Sequence, residues 1–297
     1  MIDFEKFSKF YGPHRAVADL SLRVEKGEAV ALLGPNGSGK TTTLKAAAGL
    51  IRPTSGQVRI AGRPAADPEA RRALSFLPQK VSFPEPLTGL EAAEFYRRLR
   101  GCPASRTAEA LRFASLNGAS QRRVGTYSGG MLQRLGLAVA VLPDAAALVL
   151  DEPTAALDPD GLCAFYGLVE RRQREGHTLL FSSHQLGDVE RLADRFAILV
   201  EGRLVASFSR PELADRLAER GVMRVRFDRR VPGLAEKLRD LASRVTWAGD
   251  ELIVPGPAKL RPAVLDRIRR EPVSIRGLTA EEGRLDLLYQ ELVRPTQ

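Results

Sequence analysis

Over the first 210 residues, short apolar runs alternate with stretches of helical spacing. Strands are predicted at 2–7, 20–24, 29–33, 58–60, 74–77, 148–150, 178–182, 196–200 and 203–208. Leu148-Val149-Leu150 and Leu179-Leu180-Phe181 are apolar at consecutive positions. That pattern suits strands covered by helices on both faces, as in an α/β sheet. A helix is predicted at 41–50. Between 87 and 142 the spacing is mostly helical, with helices at 89–100, 107–116 and 128–142, the last opening with Ser128 near its N-cap.

The pattern changes after 211–220. Val222-Met223-Arg224-Val225-Arg226-Phe227 alternates with period two, as a half-exposed strand does. Helical spacing follows at 234–241. Runs at 245–247 and 252–254 form a hairpin pattern around Gly249-Asp250. A helix at 263–270, a strand at 273–275 and a helix at 280–293 complete the order β-α-β-β-α-β-α, which suggests a small α+β domain of ferredoxin-like type. The expected division is 1–218 and 219–297, with a helical subdomain at about 87–142.

Composition narrows the class. The chain has 297 residues, 44% hydrophobic and 27% charged, ordinary for a soluble globular protein. No apolar run approaches the roughly 18 residues of a membrane span, and the N-terminus carries no secretory signal pattern. The two cysteines, Cys102 and Cys163, form no C-x-x-C pair, which fits a reducing cytosol. The net charge of +9 is scattered in short groups such as Arg71-Arg72 and Arg269-Arg270. Spread-out charge marks a solvated surface rather than a nucleic-acid groove, so no nucleic-acid partner is expected.

The most informative segment is Gly34-Pro35-Asn36-Gly37-Ser38-Gly39-Lys40-Thr41. It matches G-x-x-x-x-G-K-[ST], preceded by a strand pattern and followed by a helical one, which is the context a phosphate-binding loop needs. Glycines let backbone N–H groups close around a polyphosphate at a helix N-terminus. Lys40 can reach the β- and γ-phosphates, and the Thr41 hydroxyl can ligate Mg²⁺. Asn36, Gly37, Ser38, Gly39, Lys40, Thr41 and Thr42 are therefore candidate nucleotide-binding residues. Downstream, Ala147-Leu148-Val149-Leu150-Asp151-Glu152 is an apolar strand ending in two carboxylates. Asp151 is the candidate Mg²⁺ holder and Glu152 the candidate general base for the attacking water.

Between these lies Tyr127-Ser128-Gly129-Gly130-Met131-Leu132-Gln133-Arg134. In this order and spacing, residues 2–217 resemble the ATP-binding subunit of an ABC transporter, with Ser128-Gly129-Gly130 matching the family signature and Met131 standing where the commonest form has Gln. The resemblance implies a P-loop NTPase cassette with a mixed sheet core and helical subdomain, here followed by the small α+β domain. It implies that Tyr11 stacks on adenine and that Gln79, after Leu77-Pro78, touches Mg²⁺ and faces the permease. It also implies that Asp158, in Ala156-Leu157-Asp158, lies in the loop crossing a dimer interface, and that His184, after Phe181-Ser182-Ser183, contacts the γ-phosphate. Catalysis would then involve Glu152, His184 and Gln79, metal binding Thr41, Gln79 and Asp151. Ser128, Gly129 and Gly130 would serve ATP bound by a second, head-to-tail copy. The implied setting is the inner face of the cell membrane, through a separate polytopic permease. His14 and His177 match nothing and read as surface histidines.

Which transporter is less legible. The C-terminal domain, with Leu285-Asp286-Leu287-Leu288-Tyr289 near its end, resembles that of ATPases serving two-component exporters of drugs, sodium, or polysaccharide and lipid. It also resembles that of the ATPase acting in nitrous-oxide reductase maturation and copper-site assembly. Residues 127–137, with Phe165-Tyr166, are similar to that last subgroup. The chain has no Cys/His/Met cluster for copper, so the metal would belong to partners. Two rivals fit less well. Translation-type soluble ABC ATPases carry two cassettes, and repair types insert a long coiled coil between the glutamine loop and the signature. A non-hydrolysing regulatory module is opposed by intact Lys40, Asp151, Glu152 and His184.

Overall fold

The computed structural model describes residues 1–242 and 244–293. The chain divides into two compact units, Met1–Ser207 and Phe208–Gln297.

The first unit contains two sheets. Strands β1 (Ile2–Tyr11), β2 (His14–Val24), β4 (Ser55–Ile60) and β5 (Arg63–Pro64) form an antiparallel sheet in the order β2-β1-β4-β5. Strands β3 (Ala29–Leu33), β6 (Leu74–Leu77), β7 (Ala147–Asp151), β8 (Thr178–Ser182), β9 (Arg195–Val200) and β10 (Arg203–Ser209) form a six-stranded sheet in the order β10-β9-β3-β8-β7-β6. From β9 to β6 every neighbouring pair is parallel. All residues of β3, β7 and β8 are buried, as strands covered on both faces must be. One core joins Phe4, Phe7, Val17 and Leu20 of the antiparallel sheet to Val30, Leu32, Val149 and Leu180 of the parallel one. It also takes in Leu44 of helix α1 (Lys40–Ala47).

Helix α2 (Pro68–Arg72) precedes β6. Helices α3 (Gly89–Leu99), α4 (Ser105–Phe113) and α5 (Gly129–Val141) pack together around Ala92, Ala93, Leu111, Leu135 and Ala138. Thr88 and Glu91 form a reciprocal capping box on α3. Helices α6 (Pro159–Arg174) and α7 (Leu186–Leu192) follow β7 and β8.

The second unit carries α8 (Arg210–Ala218) and a four-stranded sheet of β11 (Val222–Phe227), β12 (Thr246–Ala248), β13 (Glu251–Pro255) and β14 (Ile275–Glu281). The order is β12-β13-β11-β14, with antiparallel neighbours throughout. That is the arrangement of a ferredoxin-like sheet, the fourth strand beside the first and the third beside the second. Helices α9 (Leu234–Lys237) and α10 (Arg261–Ile268) supply Leu234, Val264 and Ile268 to a core with Val225, Phe227 and Leu252. Helix α11 (Leu285–Val293) ends the described chain.

Several element ends differ from the sequence expectation for identifiable reasons. Helix α1 stops at Ala47 rather than 50. Gly49 turns left-handed (φ 67°), and Leu50 N–H bonds Lys45 O while Gly49 N–H bonds Ala46 O, a Schellman stop. The strands expected at 2–7 and 20–24 run on into a hairpin whose turn includes Gly12 at φ 58°. Residues 280–281, expected to open the last helix, instead extend β14, because Glu281 and Ala280 pair with Val222 and Met223.

Candidate functional site

Register gathers the candidate residues. Leu32 of β3 and Asp151 of β7 both lie opposite Ser182 of β8, and Leu77 of β6 lies opposite Leu150. Because these strands are parallel, their carboxyl ends fall on one edge of the sheet. The glycine loop after β3, Gln79 after β6, Glu152 after β7 and His184 after β8 therefore emerge side by side, where open α/β sheets place ligands.

Tyr11, Asn36, Gly37, Ser38, Gly39, Lys40, Thr41, Thr42, Gln79 and Glu152 line one open cleft of about 400 Å³, together with His14 and Ala16. That volume falls within the roughly 300–1,000 Å³ of small-molecule sites. Seven of its lining residues, Asn36 to Thr42, come from the glycine loop and the start of α1. Helix α1 has Gly39 (φ 100°) at its N-cap, with no side-chain cap and no acid in its first turn. Its leading N–H groups and positive helix end therefore remain available to an anion. The Lys40 ammonium donates to the carbonyls of Gly34 (2.8 Å) and Pro35 (3.1 Å), closing the loop.

Burial lowers the Lys40 pKa, and the negative charges of Glu152 and Asp151 partly oppose that shift. A lowered lysine pKa means that folding is disfavoured by the charged form at neutral pH. This cost fades as pH climbs through the lowered value toward the ordinary one. A polyphosphate beside Lys40 would offset it directly.

Gly34 has a backbone only glycine tolerates well. Its φ is 152°, and a Cβ there would lie 2.2 Å from Leu199 O and 2.4 Å from Ser38 Oγ. Gly34→Ala is expected to destabilise the first unit by about 3 kcal/mol, from backbone strain and overpacking together. Thermal unfolding of the purified variant against the wild type measures this; an unshifted midpoint would refute it.

The carboxylates differ in setting. Asp151 is buried, and its Oδ1 accepts from Ser182 Oγ at 2.7 Å, whereas Oδ2 is buried without a protein partner. An orphaned buried carboxylate oxygen beside the phosphate loop fits a hydrated divalent cation. Glu152 is also buried and sits at φ 50°, an uncommon conformation for a non-glycine residue and one that often marks a functional site. Its N–H donates to Ser182 Oγ (2.9 Å), and its Oε2 lies 2.6 Å from His184 Nδ1. The Glu152 and Pro153 carbonyls accept weak bonds from Gln133 of α5 (3.5 and 3.4 Å).

Ser128, Gly129, Gly130 and Asp158 do not line this cleft. Ser128 caps α5, accepting from Met131 N–H at 3.3 Å, and Asp158 caps α6, accepting from Gly161 N–H at 3.0 Å. Asp158 and Arg134 lie 3.9 Å apart. Ser128, Gly129 and Asp158 are exposed.

Sequence reasoning missed several residues. His14 is exposed, as expected of a surface histidine, but it also lines the cleft near Tyr11 because the β1–β2 hairpin carries both. His177, read likewise, is largely covered and its Nδ1 lies 2.8 Å from Ala145 O. Ser182 bridges Asp151 and Glu152, and only the β7–β8 register could have revealed it.

Comparison with known proteins bears on the family and the fold. A family model described as ABC transporter matches residues 17–155. An uncharacterized ABC transporter ATP-binding protein, YxlF of Bacillus subtilis (strain 168), is 43% identical over 209 residues, covering 69% of each chain. A Nod factor export ATP-binding protein I of Cupriavidus metallidurans is 33% identical over 272 residues, 89% of each chain. Among solved structures, the dimeric post-hydrolysis state of the ATP-binding cassette MJ0796 with ADP and Pi covers 71% of this chain and 99% of its own. It matches with a TM-score of 0.66 and 26% identity. With a P-loop cassette fold and these relatives, the chain belongs to the ABC transporter ATP-binding proteins, the ATP-hydrolysing subunits of ABC transporters.

Proposed function

We propose that two copies of this chain pack head to tail around two MgATP and drive a separate polytopic membrane permease in export. One observation carries the shared site. Ser128 and Gly129 lie exposed at the start of a helix, outside the cleft lined by Lys40 and Glu152 of the same chain. A positive helix end that faces solvent suits a phosphate held by another copy.

In this reading Lys40 and the N–H groups of the loop and of α1 hold the β- and γ-phosphates, and Tyr11 stacks on adenine. Tyr11 is half exposed, with the Lys9 ammonium 5.1 Å from its ring centre. Glu152 polarises the attacking water and accepts its proton, and His184 holds the Glu152 carboxylate while facing the γ-phosphate. Bound Mg²⁺ would neutralise charge on the phosphate oxygens, and Thr41, Asp151 and Gln79 are the residues to hold it. Asp158 carries the first turn of α6 toward the second copy. ATP closes the pair because its γ-phosphate is gripped by both chains, and hydrolysis removes that bridge. Gln79 and the segment after it would pass the motion to the permease.

Export is supported by the relative named for Nod factor export, which matches 89% of this chain and so includes most of the second unit. Service in nitrous-oxide reductase maturation rests on the resemblance of the C-terminal domain, which the other exporters share, and on residues 127–137 and 165–166. Among the described residues no group of three or more His, Cys, Asp or Glu is placed to hold a metal, so any copper chemistry would lie in partners. Among the same residues no helix is long and apolar enough to cross a membrane.

Tagged full-length chain solubilised from its native membranes is expected to copurify with one polytopic permease, at two cassettes per transporter, with ATP turnover above that of the isolated chain. Copurification with ribosomes or DNA instead would overturn the transporter reading.

A further inference from the structure

Behind the catalytic edge lies a buried carboxylate that the cleft does not use. Asp188, in the first turn of α7, is 2% exposed. Its Oδ2 accepts from Thr154 Oγ1 (2.5 Å) and Ser183 Oγ (3.2 Å), and its Oδ1 accepts from the Tyr166 hydroxyl. Thr154 and Ser183 are themselves buried. A carboxylate this deep is tolerated only when it is well hydrogen-bonded. Burial and the Asp188 charge push the Tyr166 pKa up to about 12, so this hydroxyl remains a donor at all ordinary pH. The Arg191 guanidinium lies over the Tyr166 ring, 4.2 Å from its centre.

The three donors come from three segments. Thr154 stands two residues after Glu152, Ser183 immediately precedes His184, and Tyr166 projects from α6, whose N-cap is Asp158. The 2.6 Å approach of His184 to Glu152 thus has a second fastening behind it. We propose that Asp188 is a positioning residue for ATP hydrolysis: its buried carboxylate locks the segments bearing Glu152 and His184 to each other and to α6. This rests on the proposed role of Glu152.

A brace of this kind sets the geometry of the reacting groups rather than the affinity for nucleotide. A displacement of about 1 Å in reacting geometry costs on the order of 10²-fold. Asp188→Asn keeps the shape but cannot accept three hydroxyl donors as a carboxylate does. It is expected to lower kcat by about 10- to 100-fold while KM for ATP stays within about threefold. Tyr166→Phe removes one donor and keeps the ring. It is expected to lower kcat by about threefold with KM unchanged, and it serves if Asp188→Asn does not fold.

The decisive measurement is a double-mutant cycle in single-turnover hydrolysis. Because Asp188 acts through Glu152, adding Asp188→Asn, or Tyr166→Phe, to Glu152→Gln should cost less than about twofold. A purely structural Asp188 would impose the same fold-loss in both backgrounds, and that result overturns the proposal. So does kcat within twofold of wild type for both single variants, or a loss expressed in KM. If Glu152→Gln itself hydrolyses ATP at the wild-type rate, the base assignment fails instead. If Glu152→Gln is slow while both brace variants are fast, only the brace is wrong.

Discussion

Glu152→Gln is expected to lower steady-state ATP turnover at least ~10²-fold, the loss that follows removal of a general base. The substitution is isosteric, and Gln can still accept from His184 through its carbonyl oxygen. Its backbone N–H keeps the bond to Ser182 Oγ, and the φ of 50° is no more strained for Gln than for Glu. What disappears is the carboxylate proposed to take a proton from water. Removing a negative charge beside a bound triphosphate also relieves repulsion. The variant is therefore expected to bind ATP at least as well as wild type and to accumulate as an ATP-held dimer, because the bridge between the copies is not cleaved. Phosphate release measures the first effect, and light scattering with and without MgATP the second. Unchanged turnover would remove Glu152 from the reaction. A slow variant that stays monomeric with ATP, both free and within its membrane assembly, would remove the dimer.

Much of the cleft is legible in the chain because its chemistry is local. The glycine loop and Lys40 fall within eight residues, and their conformations are set there: Gly34, Gly37 and Gly39 all have positive φ. Asp151 and Glu152 end an apolar strand, and Ser128 opens a helix, so each could be placed from its neighbours. What escaped depends on pairing. Ser182 touches Asp151 and Glu152 only because β7 and β8 run parallel in one register, and a register one residue away would turn the serine to the other face. Asp188 carries no local sequence signal, since its three donors lie 5, 22 and 34 residues away in sequence. His14 was missed because the β1–β2 hairpin extends beyond its apolar stretches. Its outer half is held by backbone pairing of polar residues such as Tyr11 with His14. The end of α1 was misplaced for a related reason. The left-handed turn at Gly49 is made against the Ala65 carbonyl, which a Cβ at Gly49 would approach to 2.2 Å. The small C-terminal domain fared better in element order, whose alternation is a sequence property, than in the extent of β14, which pairing with β11 decides.

Two inactive chains are expected to restore activity to each other. Lys40→Ala removes the ammonium that closes the phosphate loop. Gly129→Asp acts elsewhere: a Cβ at Gly129 meets nothing within 4 Å, so the substitution disturbs no packing in its own chain. An acid at the first helical position even favours the helix. Within one chain Gly129→Asp should therefore be harmless, since residue 129 does not line the cleft that holds Lys40. Across a head-to-tail pair it sets a negative charge against the partner's γ-phosphate, and turnover is expected to fall on the order of 10²-fold. Each variant alone forms a pair with two defective sites. A mixed pair concentrates both defects in one site and leaves the other whole: wild-type loop from one copy, wild-type signature from its partner. With random exchange half the pairs are mixed, so an equimolar mixture should recover roughly a quarter of wild-type turnover if the two sites act independently. Strong coupling between sites would lower that fraction, but any gain well above the sum of the separate variants requires shared sites. If Gly129→Asp alone is as active as wild type, each chain completes its own site and the head-to-tail arrangement is refuted.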